Sequence, residues 1–67
     1  MAVIVDFTKK ERSRVLLKTE DRAAAEAFAS EKAEKYRAAG KHGVISVYEK
    51  TTAPGIPAKR ILAVLEV

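Results

Sequence analysis

Residues 19–39 carry a bounded helix signal, and that segment limits everything around it. The body is dense in Ala, Glu, Lys and Arg, all strong helix formers. Thr19 reads as the N-cap, and Glu20 and Asp21 suit the positive end of a helix dipole. Gly40 supplies the left-handed residue that commonly ends a helix. This pattern predicts one helix over 20–39, of about 18–21 residues. At about 100° per residue, Ala24, Ala25, Phe28, Ala29, Tyr36 and Ala39 share a face. Lys32 and Lys35 fall in the same sector, where their stems can cover apolar surface while the ammonium groups reach water. The alanines permit close packing, and Phe28 and Tyr36 are the expected large anchors.

The remaining segments read as strands. Residues 2–7 place Val3, Val5 and Phe7 on one side at period 2, and residues 13–18 place Val15 and Leu17 on one side. The polar stretch between them suits a hairpin turn. Residues 43–50 and 59–67 are the third and fourth strands. Between these lies a loop, 51–58, where Pro54-Gly55 suits a type II turn and Pro57 cannot donate to a central ladder. The expected architecture is α+β: a β-β-α-β-β order, a four-stranded mixed sheet and one helix on one face. The first and fourth strands are apolar on both faces, which predicts the sheet order 2-1-4-3.

At 67 residues the chain has length for one small domain, spanning 1–67. Its 48% hydrophobic and 33% charged residues are those of a globule, unlike a disordered tail. No run approaches the ~18 apolar residues of a membrane span. The opening MAVIVDF meets charge too soon for a signal peptide. Zero Cys removes disulfides and thiolate chemistry, and a cytoplasmic location is expected.

Catalytic groups are scarce. His42 is the one histidine, and Ser13, Ser30 and Ser46 lie in strand or helix positions without a glycine-flanked elbow. His42 reads as a residue beyond a helix end. The helix acids alternate with bases, which suits surface pairs such as Glu31–Lys35 rather than metal ligands. Gly40 and Gly43 match no phosphate-loop spacing. The expectation is a protein that is not an enzyme and needs no cofactor or metal.

Three features point to binding. The first is charge: 13 Lys and Arg against nine Asp and Glu give +4. The topology is expected to bring Lys9, Lys10 and Arg12 to the same end as Arg37 and Lys41, forming one basic end that can hold phosphates. The second is an apolar outer sheet face, expected to carry Ile4, Leu16, Leu62 and Val64, which one helix cannot cover. The third is the loop tip Pro54, Gly55 and Ile56. The layout and length resemble those of small phage-encoded inhibitors, some anti-CRISPR proteins among them, and of small nucleic-acid-associated modules of bacteria. That resemblance implies an inhibitor or regulator. The reading is a binding module that engages a protein or nucleoprotein complex, without a membrane partner and as a homodimer. The alternative is direct nucleic-acid binding through the basic end.

Overall fold

In the computed structural model, residues 2–53 and 55–67 are described, with side chains for all of these except 51–53 and 56–58. Four strands and one helix follow in the order β1 (Ala2–Lys9), β2 (Arg12–Thr19), α1 (Arg22–Ala38), β3 (Val44–Ala53) and β4 (Ile56–Glu66). The strands form one sheet in the order β2-β1-β3-β4, with every neighbouring pair antiparallel. The α+β class and the β-β-α-β-β order are therefore present. The order 2-1-4-3 and the mixed sheet are not: β3 is central and β4 is an edge. As expected, α1 returns the chain so that β2 and β3 run the same way. However, β1 lies between them, so no neighbours are parallel.

The physical reason lies in the 51–58 segment. It is not a loop. β3 and β4 continue through it in register, from Val44↔Glu66 to Ala53↔Ile56, and Gly55 takes φ 92° at the turn. Sequential strands joined by so tight a turn pair locally at small entropic cost, which beats the distant β1–β4 pairing. Pro57, opposite Thr52, is tolerated because β4 is an edge.

The helix begins later than Thr19 suggests. Asp21 is the N-cap, and its Oδ1 accepts from the Ala23 and Ala24 amides at 3.0 and 3.3 Å. Thr19 remains in the β2 ladder opposite Val3 and accepts from the Asp21 amide at 3.1 Å. At the other end Gly40 has φ 73°. The Gly40 amide donates to Arg37 O at 3.1 Å and the Lys41 amide to Tyr36 O at 2.9 Å, a Schellman closure.

Ala25, Ala29 and Ala33 are the buried stripe of α1, while Ala24 and Ala39 are exposed. These three alanines seat the helix on Val3, Val5, Ile45 and Val47, and Phe7, Leu17, Phe28, Tyr36, Leu62, Ala63, Leu65 and Val67 pack around them. Phe28 is only half-buried, so its truncation is expected to cost less than the ~3–5 kcal/mol of a fully buried ring.

Two β-bulges reset the strand faces. In β2, Val5 pairs with Leu17 but Asp6 pairs with Val15, leaving Leu16 as the extra residue. In β4, Val47 pairs with Ala63 but Tyr48 pairs with Ile61, leaving Leu62 extra. Each bulge inverts the alternation beyond it. Val15 and Ile61 therefore take the outer face, and Leu62 packs with the helix-side cluster.

Candidate functional site

The basic end is built by the β1–β2 hairpin and the close of α1. Lys9 and Arg12 are the last paired residues of the hairpin, and Lys10 and Glu11 form its tip. Lys10 has φ 56°, the one non-glycine residue with positive φ among those described. An L-residue there stores backbone strain that glycine would not. Lys9, Lys10, Glu11, Arg12, Ser13, Arg14 and Phe7 line an open depression of about 800 Å³.

Two contacts bring the α1 end to the same place. Thr8 pairs with Val44, so the chain leaving α1 enters β3 beside the hairpin. Gly43 there has no room for a side chain: a Cβ would lie 2.5 Å from the Phe7 ring and 2.7 Å from Thr8 O. Tyr36 packs on Phe7 with ring centroids 4.8 Å apart, and Lys41 Nζ lies 4.8 Å over the Tyr36 ring.

The sequence-expected residues thus reach one end, with different employment. Lys9, Lys10 and Arg12 are exposed. None of these three, nor Arg14 or Lys41, forms an ion pair among the described residues, where the pairs are Arg22–Glu26 and Lys35–Glu31. Arg37 is committed to the fold: its Nε and Nη2 donate to Glu66 O at 3.2 and 2.7 Å, tying α1 to the end of β4. Arg14 is the residue that sequence reasoning left out of the site. It lines the hairpin depression and also a smaller groove with Val15, Leu16, Phe28, Lys32 and Tyr36. The placement of Lys32 inside the apolar sector of the helix was the available signal for that groove. Its ammonium lies 5.6 Å over the Phe28 ring.

The outer sheet face is the second candidate surface. Its cross-strand rows are Lys18–Ile4–Tyr48–Ile61, Val15–Asp6–Ser46–Val64 and Ser13–Thr8–Val44–Glu66, with Lys50 and Lys59 opposite each other beyond the first. Val15, Ile61 and Val64 are 58%, 51% and 58% exposed. Of the expected residues, Val64 is on this face and exposed. Ile4 is on it but buried, and Leu16 and Leu62 are displaced by the bulges. Of the loop tip, Pro54 and the Ile56 side chain lie outside the described residues, and Gly55 is exposed.

Partial burial, and then the Asp6 carboxylate, hold the Tyr48 hydroxyl above its ordinary value of 10.0. Lys59 Nζ lies 4.3 Å over the same ring. In a Tyr36→Phe background, absorbance titration is expected to show Tyr48 ionising above 10.0, and Asp6→Asn is expected to lower that midpoint. The sign follows from a folded pKa raised above the unfolded one. The stabilisation is complete below the unfolded pKa and is lost as pH rises through the folded pKa.

His42 is exposed, and among the described residues no serine hydroxyl is hydrogen-bonded to it; Ser13 Oγ lies 3.1 Å from Thr8 Oγ1. No group of three His, Cys, Asp or Glu side chains with metal-binding geometry occurs among the described residues. Among these residues, no helix is long and apolar enough to cross a membrane. In comparisons with known proteins, no family model, curated protein or solved structure matches the chain.

Proposed function

We propose that this chain is a non-catalytic binding module that engages the phosphate backbone of nucleic acid, free or within a nucleoprotein complex, through its basic end. The observation that carries this reading is Lys10. It occupies a tip position with φ 56° where glycine would relieve strain, and its ammonium, in no ion pair among the described residues, stands with the cations of Lys9 and Arg12 around a depression that Glu11 also lines. Strain retained at an exposed tip is explained when the side chain is used. Lys9, Arg12 and Arg14 supply further cations around the same depression.

Backbone contact fits better than base stacking. Tyr36 carries Phe7 and Lys41 against its ring, and Phe28 carries Lys32. Those rings are occupied, whereas single-strand platforms need open aromatic faces.

Fluorescence anisotropy with a labelled random-sequence DNA duplex tests the reading. Four phosphate contacts give a log–log salt slope near −3.6, or roughly 150-fold weaker binding when salt rises about fourfold. Lys10→Gly is expected to move two quantities in opposite directions. Binding weakens, while the melting temperature rises by roughly 4–8 °C for each kcal/mol of relieved strain. Duplex binding that is absent at low salt, or unaffected by salt, removes the reading.

A further inference from the structure

We propose that the outer sheet face closes against a second copy of this chain, by a two-fold axis perpendicular to the strands that sets β4 antiparallel on β4 of the partner copy. The two middle rows of the face carry Ile4, Val15, Tyr48, Ile61 and Val64, with Lys18 at the β2 end of one row and Asp6 and Ser46 inside the other. Beyond these rows Lys50 and Lys59 lie at one end and Glu66 at the other.

This sorting selects the axis. An axis along the strands would lay lysine end on lysine end, and like charges across an interface are costly. An axis across the strands reverses the ends. Placed between the Ile61 row and the Val64 row, it sets Ile61 against the second copy's Val64 and Lys59 toward its Glu66. Aligned sheet packing of this kind is a common way to bury two apolar faces.

The areas are consistent with this arrangement. Four strands about 4.8 Å apart and four rows about 6.8 Å apart make a face of about 500 Å² per copy. Two such faces reach the ~1,000 Å² that a specific interface needs.

Analytical ultracentrifugation at about 100 µM tests the arrangement. The wild type is expected to sediment as a dimer. Val64→Lys and Ile61→Lys are expected to weaken dimerisation by about 100-fold or more, because each places an added charge in the middle rows of the face. Both positions are exposed in the monomer, so an unchanged circular dichroism spectrum separates lost dimer from lost fold. Lys59→Glu and Glu66→Lys should each weaken the dimer, and the double exchange should restore it. A wild-type monomer, a dimer indifferent to Val64→Lys, or a double exchange that rescues nothing overturns the proposal. Glu66 shares its row with Thr8 and Val44 beside the basic end, whereas Ile61 and Lys59 lie away from it, so duplex binding is read independently on the Ile61→Lys variant.

Discussion

Ile45→Ala is expected to bring the chain to the edge of unfolding. Ile45 sits in central strand β3, paired with Phe7 on one side and Leu65 on the other, and is 0% exposed beneath the alanine stripe of α1. Truncating a buried Ile costs ~2–5 kcal/mol, the spread depending on how far the site collapses. Collapse is limited here. One side is a hydrogen-bonded sheet, and the other is a helix already held close by Ala25, Ala29 and Ala33. Net stabilities near ~5 kcal/mol leave little behind. A loss of ~3 kcal/mol lowers the melting temperature by roughly 12–24 °C. Phe28→Ala should cost visibly less, because Phe28 is half-buried at the rim. Thermal denaturation of the two variants side by side checks the ranking. An Ile45→Ala melting temperature within a few degrees of wild type would contradict the assigned core.

Charge reversal at the hairpin is expected to give the largest functional effect. Lys9→Glu, Lys10→Glu and Arg12→Glu together remove three of the four cations around the depression and add three carboxylates beside Glu11. Each phosphate contact contributes to the salt slope, so wild type and variant should differ by more than ~10² in duplex affinity near 50 mM salt. The slope should also flatten toward zero. All three side chains are exposed and none is ion-paired among the described residues, so the melting temperature should change little. Anisotropy and thermal denaturation on the same preparation separate the outcomes. Unchanged affinity in a folded variant would return these residues to the role of a solubilising turn.

The element order was legible because it rests on local chemistry. Alanine-rich composition and Gly40 mark one helix, and β-branched runs mark four strands. The hairpin carrying Lys9, Lys10 and Arg12 and the helix stop before Lys41 were legible too, because each is a local signal; that the two segments meet follows from the pairing of β1 with β3, which sets Thr8 opposite Val44. The cap could be misread by two residues because Thr19 and Asp21 are both good caps. Only the β2 ladder, which retains Thr19 opposite Val3, decides between them.

The sheet order depended on tertiary pairing. The apolar residues Ile61, Leu62, Ala63, Val64 and Leu65 suggest a central strand, while Pro57 at the start of the same strand suggests an edge. Register along the β3–β4 hairpin settles it in favour of Pro57. The outer face also escaped the sequence. Period-2 reading assigns faces correctly only along unbroken ladders. Two bulges, at Leu16 and at Leu62, exchange which apolar side chains face out. A bulge arises from how two strands twist against each other, and neither strand records it alone. The sequence by itself therefore determined which elements form, because these follow from neighbours in the chain. The tertiary structure decided which strand is central, which leucines are covered and which valine and isoleucine remain exposed, because those depend on pairing between segments distant in the chain.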